Sequence, residues 1–163
     1  MKKEKTKSSR DKLLDVTFDE VYKYGYCGAA TANILKKAGV PRGSMYHHFE
    51  SKKTLVLAMI DERLSPKVRE FFEFKSDVEM DAFRVLDFTL KKISKNKMLI
   101  KHGCPLHRLM FEMGSLDCDI AKACEGEFEY LRDKLVDVLK EGMKKGEIKD
   151  GNCVDKAEFF IVC

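Results

Sequence analysis

The sequence predicts an all-α protein: a three-helix helix-turn-helix domain at the amino terminus, followed by a helical bundle. Three observations predict it. Apolar residues recur at helical spacing, as in Leu14, Phe18, Val21 and Tyr22 or Phe83, Leu86, Leu90 and Ile93, and no segment alternates with period two. The stretch Ala38-Gly39-Val40-Pro41-Arg42-Gly43-Ser44-Met45-Tyr46-His47-His48-Phe49 reads as a helix end, a tight turn and a short second helix carrying polar groups. Positive charge is concentrated in the same part of the chain: through Ser65 there are 13 Lys and Arg against 8 Asp and Glu, although the net charge of the whole is only +4.

Residues 1–9 form a basic arm, expected to be mobile. A first helix is expected from Ser9 or Arg10 to about Tyr24, stopped by Gly25, and a second from about Ala30 to Ala38 that buries Ile34 and Leu35. Gly39 accepts the left-handed backbone after the last turn, and Pro41 opens the third helix, where its missing N–H costs nothing; this helix runs to about His48. Ser51 is the expected N-cap of a fourth helix reaching at least Leu64, with Leu55, Ala58, Met59 and Leu57 facing inward, before a kink or fresh start at Pro66. Beyond it, one helix carries Phe83 to Ile93 up to the polar break Lys95-Asn96-Lys97, and another carries Leu106, Leu109, Met110 and Met113 up to Gly114-Ser115. A long helix from about Asp119 to Lys145 aligns Cys124, Phe128, Leu131, Leu135 and Val138; a last one, opened by Asn152 or Asp155, carries Val154, Ala157, Phe160 and Ile161. These elements divide into a helix-turn-helix domain over residues 10–50 and a regulatory domain over residues 51–163. The chain stops on the apolar run Phe159-Phe160-Ile161-Val162-Cys163, so the reading expects a longer intact protein.

With 163 residues the chain buries a core without staples, and no apolar run nears the roughly 18 residues of a membrane span. Met1 to Lys12 is basic and polar with no apolar core after it, so neither export nor membrane association is expected and the location is read as cytoplasmic. Six cysteines without a C-x-x-C pair suit reduced thiols, and Cys104, placed to begin a helix, is the candidate for an oxidant-sensing thiol. No phosphate loop, nucleophile elbow or H-E-x-x-H is present, so no enzyme, metal or cofactor is expected.

A cationic segment bearing a helix-turn-helix suits a polyanion, since phosphate contacts supply most nonspecific affinity for DNA. Arg42, Ser44, Tyr46 and His47 offer donors for phosphates and base edges, and Gly43 lets a phosphate or the preceding helix approach closely. Phe49 is read as core, His47 as outward and His48 as partly inward. In the second domain Phe83, Leu86, Leu90, Leu109, Met110, Met113, Phe128 and Leu131 form first of all a bundle core, whose Met and Phe content also suits an adaptable apolar pocket. His102 and His107 are candidates to orient a polar ligand group.

Gly25-Tyr26, Ile34, Ala38-Gly39-Val40, Gly43 to Phe49 and Ser51-Lys52 followed by Leu55 resemble the DNA-binding region of TetR/AcrR-type transcriptional regulators. Gly103-Cys104-Pro105-Leu106, Glu112, and Gly142 with Gly146-Glu147-Ile148 resemble the regulatory domain of a subgroup with a Gly-Cys-Pro motif. The resemblance implies a homodimer on a double-stranded DNA operator, joined through its last two helices and released by a small inducer, most simply a repressor with an apolar or aromatic effector. Carried onto this chain, it implies DNA contacts by Thr31, Arg42, Gly43, Ser44, Tyr46, His47 and Lys52, and a ligand site drawn from Phe83, Leu86, Leu90, Cys104, His107, Met110, Met113, Phe128 and Leu131. Ala29 departs from the family's pattern, in which a threonine there caps the second helix, and this bears on the contacts of Ala30 and Thr31. Two alternatives stand beside this reading: a thiol-based sensor of oxidants or electrophiles using Cys104, and a helical interaction protein that binds no DNA.

Overall fold

A computed structural model describes residues 7–73 and 81–162, and every regular element among them is helical. In chain order they are α1 (Ser9–Gly28), α2 (Thr31–Ala38), α3 (Arg42–His48), α4 (Lys52–Met59), a π-helical turn (Ile60–Leu64), α5 (Ser65–Phe71), α6 (Ala82–Lys95), α7 (Lys97–His102), α8 (Pro105–Met113), α9 (Cys118–Lys144) and α10 (Cys153–Val162). The expected arm lies outside the described residues through residue 6. Packing groups the chain into two discontinuous units, one of residues through Lys67 with Cys104–Cys124, the other of Val68–Gly103 with Glu125–Cys163. No helix among the described residues is long and apolar enough to cross a membrane.

In the first unit α1 is the central strut, packed against α2, α3, α4 and α8. Ser8 caps it by accepting from the Asp11 N–H at 3.1 Å. Its buried side comprises Leu13, Leu14, Thr17, Glu20, Val21 and Tyr22, so the expected stripe gains a carboxylate, Glu20, which meets Lys37 of α2 at 2.6 Å. The strut breaks at Gly25, whose φ of 75° and ψ of −176° suit glycine alone, and then resumes to Gly28. Ser51 and Thr54 form a reciprocal capping box at the start of α4: the Ser51 side chain accepts from the Thr54 N–H at 3.1 Å, and the Thr54 hydroxyl accepts from the Ser51 N–H at 3.0 Å. Leu55, Val56, Met59 and Ile60 face inward; Ala58 and Leu57, expected there, are half-buried. The expected irregularity at Pro66 is absorbed one turn earlier, where the Ser65 N–H reaches Ile60 O and widens the helix before the residue that cannot donate.

In the second unit α9 and α10 enclose Leu135, Val136, Leu139 and Ala157, with Leu86, Ile148, Phe160 and Ile161 packed around them. Asn96 ends α6 and at the same time caps α7, accepting from the Met98 and Leu99 N–H groups. What the sequence presents as a break is therefore a joint between two helices. The inward side of α6 needs correction: Phe83 and Leu90, expected on the core stripe, are 68% and 52% exposed, and Ala82, Val85 and Thr89 are buried instead. Close approach explains the choice. A Cβ on Gly142 of α9 would lie 2.6 Å from the Ala82 Cβ, so the contact admits only small side chains at that point of α6. Glu147, just beyond the left-handed turn at Gly146, completes the junction by accepting from the Ala82 N–H at 2.8 Å. On α10, Val154 is exposed although the periodicity placed it with Ala157.

Candidate nucleic-acid interface and regulatory helices

The turn between α2 and α3 is built as its residues require. Gly39 is left-handed, with φ 63° and ψ 34°, and the Val40 N–H returns to Leu35 O at 3.2 Å. Pro41 stands as the N-cap and Arg42 begins α3, one residue later than expected. Met45 and Phe49 are buried and anchor the short helix, which leaves Arg42, Gly43, Tyr46, His47 and His48 exposed and Ser44 half-buried. His48, expected partly inward, therefore faces solvent. The Arg42 guanidinium lies 5.6 Å from the centroid of the Tyr46 ring, which presents a cation and a phenol side by side. Around Gly43 a Cβ would meet no atom within 4 Å, so the preceding helix does not require the glycine and the open space faces outward.

The N-cap of α2 is Ala30 rather than Ala29, which is fully buried, and it offers no side-chain acceptor. No side chain caps the first turn of α2, beside the half-buried Thr31, and of its N–H groups that of Asn33 turns back to the Ala30 carbonyl at 3.0 Å, at a positive helix end. Lys52 is half-buried at the start of α4, where its ammonium donates to the Tyr26 carbonyl at 2.5 Å and lies 4.5 Å from the Tyr26 ring centroid. Burial lowers its pKa from the usual lysine value. An ammonium has three donors, so this bond leaves two for another acceptor.

The break in α1 is closed from α8. An unbroken helix would pair the Cys27 N–H with the Lys23 carbonyl four residues back. Here Glu112 Oε2 accepts from the Cys27 N–H at 3.0 Å, and the Arg108 guanidinium donates to the Lys23 carbonyl at 2.8 Å. Glu112 and Arg108 are themselves four residues apart and so lie on one face of α8. The Glu112 carboxylate fills the space beside Gly25: a Cβ there would fall 1.8 Å from Oε1. Nearby, Lys53 of α4 holds both Asp117 and Asp119 at 2.8 and 2.6 Å, which fixes the start of α9. Arg108 was not singled out in the sequence, although its spacing from Glu112 was a signal.

The residues expected around a ligand divide between the two units. Cys104, His107, Met110 and Met113 belong to the first, on or beside α8, and Phe83, Leu86, Leu90, Phe128 and Leu131 to the second. Cys104 is the N-cap of α8, ahead of Pro105. Tyr22 is pushed up to about 12, by burial first and by the nearby Cys104 second, and burial lowers the His107 imidazole from its ordinary 6.5. Met113 and Leu131 are buried, Met110, Leu86 and Phe128 half-buried. In the second unit Glu127, which the sequence reading passed over, is buried on α9 and meets Arg69 of α5 at 3.0 Å. No group of three His, Cys, Asp or Glu among the described residues is placed to hold a metal.

Residues 13–59 match the family of bacterial regulatory proteins of the tetR type. An HTH-type transcriptional regulator from the lacX 3' region of Lactococcus lactis is 29% identical over 139 residues, 82% of this chain and 69% of that protein. A TetR-family transcriptional regulator from Cytophaga hutchinsonii superposes with a TM-score of 0.81 at 19% identity, covering 97% of this chain and 82% of that one. The reduced form of Escherichia coli NemR, named an HTH-type transcriptional repressor, gives 0.78 at 24% identity, over 94% of this chain and 82% of that one. The matched segment coincides with the helices that present Arg42 and Tyr46, and over residues 13–59 the chain is similar to the bacterial regulatory proteins of the tetR family.

Proposed function

We propose that the chain is a cytoplasmic homodimeric repressor that leaves its operator when a small molecule, apolar or aromatic in body, binds the regulatory helices. One observation carries the DNA-binding part: Arg42, Tyr46 and His47 are exposed together on a helix anchored from beneath by buried Met45 and Phe49. Two such helices in a dimer must meet half-sites about one helical turn, ~34 Å, apart. The effector acts by favouring the conformation in which that spacing is wrong, and lowers DNA affinity by the ratio of its affinities for the two conformations. The division into a DNA-binding part over residues 10–50 and a regulatory part beyond it, the roles of Thr31, Gly43, Ser44 and Lys52 at phosphates, and the Gly-Cys-Pro subgroup belong to the same proposal. Phe159 on α10, 72% exposed, supports a partner surface on the last helix.

Fluorescence anisotropy with duplexes from the DNA flanking its own gene tests the proposal. Arg42→Ala and Tyr46→Ala each lower affinity about tenfold, the cost of a good phosphate or base contact. No retention of any fragment at low salt refutes it. A thiol-based reading has its own support, since Cys104 stands at the N-cap position of α8, two turns from Glu112, with no capping bond from its side chain. Cys104→Ser separates the two: a variant that oxidants still release from DNA excludes Cys104 as the sensor.

A further inference from the structure

We infer that Glu127 is the effector-contacting group of the second unit, accepting a hydrogen bond from a neutral O–H or N–H on an otherwise apolar small molecule. The inference rests on the ligand-responsive reading above. Along α9, Cys124, Glu127, Leu131 and Leu135 are 0%, 5%, 6% and 1% exposed, so a carboxylate occupies a position in the buried seam where an aliphatic side chain would be the stable choice. One of its oxygens is accounted for: Oε1 accepts from Arg69 Nη2 at 3.0 Å, and the Arg69 guanidinium lies over the Tyr130 ring. The other is not. Oε2 is buried and has no hydrogen-bond partner among the described residues.

A buried acceptor without a donor is costly, and one on a carboxylate more so, which sets this oxygen apart from Thr17 Oγ1, a hydroxyl that also lacks a partner in the first unit. A ligand that supplies the donor recovers that cost on binding, whereas a ligand of the same shape without one does not. Charge selects the class. Arg69 already places one cation beside Glu127, so a neutral donor leaves the pair balanced, an ammonium would leave an excess positive charge, and an anion would meet the carboxylate. The expected effector is therefore a phenol, an indole or an alcohol on a hydrophobic frame, and a pure hydrocarbon is disfavoured.

Calorimetric titration of the full chain with matched pairs tests this: indole against indene, which lacks the N–H, and phenol against toluene. The wild-type protein binds the donor of each pair at least about tenfold more tightly, the effect of one hydrogen bond to a charged group. In E127L the preference disappears, while the thermal midpoint stays level or rises because a buried carboxylate with an unpartnered oxygen gives way to an apolar side chain and the Arg69 guanidinium, 58% exposed, returns to water. E127Q, which keeps an acceptor oxygen, retains part of the preference and serves if E127L fails to fold. Equal binding within the wild-type pairs overturns the inference without any variant, as does an unchanged preference in E127L or tighter binding of benzylammonium than of indole. Operator binding measured with indole separates the two levels. A Glu127-dependent preference with unchanged DNA affinity refutes the effector reading and leaves the site standing, whereas release that E127L does not alter refutes the site alone.

Discussion

Replacing Gly25 by alanine tests the junction between α1 and α8. Two costs arise together. The backbone at φ 75° and ψ −176° lies in a region open to glycine alone, and forcing another residue into it costs about 1–3 kcal/mol. The new Cβ would also fall 1.8 Å from Glu112 Oε1, so the carboxylate must leave and the Cys27 N–H loses its acceptor. Because Cys27 is exposed and water can replace the bond, that loss stands at the low end of the range for a charged acceptor, about 1.5 kcal/mol. The sum is about 2.5–4.5 kcal/mol, which for a chain of this size lowers the thermal midpoint by about 5–18 °C. Urea unfolding of the wild type, Gly25→Ala, Glu112→Ala and the double variant resolves the two parts. With Glu112 already truncated the steric part is absent, so the double variant is more stable than the sum of the singles by about 1.5 kcal/mol. A Gly25→Ala protein within about 0.5 kcal/mol of wild type, or strict additivity, would refute the account of why α1 breaks where it does.

In the second unit Gly142→Ala drives a Cβ to 2.6 Å from the Ala82 Cβ and 2.9 Å from Ile148 Cδ1, and should cost about 1–3 kcal/mol by overpacking, read from the urea midpoint. Adding Ala82→Gly should recover part of it; no recovery would place the strain elsewhere. A pH series tests His107. Its folded pKa lies below the unfolded 6.5, so the unfolded state binds more protons, and the stability this neutral imidazole contributes is fully present above pH 6.5 and lost as pH falls through the folded value. His107→Gln should flatten the stability profile below pH 6.5, and an unchanged slope would remove the role assigned to burial of this ring.

Much of this was legible in the sequence because local chemistry decided it. Gly39 and Pro41 set the turn, and Ser51 with Thr54 set the start of α4, by rules that act within four residues. Periodicity fared less well where two neighbouring stripes compete. On α6, Phe83 and Leu90 outweigh Ala82, Val85 and Thr89 by size, yet the inward side was chosen by a contact more than fifty residues away, at Gly142, that admits only small groups. Asn96 was read as a break because a residue that ends one helix and caps the next looks the same in sequence as a loop. Glu127 was overlooked for a different reason. Its spacing from Cys124 and Leu131 places it on the buried seam, but the apolar Phe128 beside it fits helical periodicity equally well and is only half-buried.

The bonds from Glu112 and Arg108 to α1, and from Lys53 to Asp117 and Asp119, set a limit on transplantation. A recognition segment cut after residue 50 and grafted onto another regulator leaves behind the carboxylate beside Gly25 and the guanidinium on the Lys23 carbonyl. It arrives with a broken first helix and no replacement for either. Exchange of DNA specificity between relatives should therefore succeed when residues through Lys67 travel together with Cys104–Cys124, and chimeras cut after residue 50 should fold poorly.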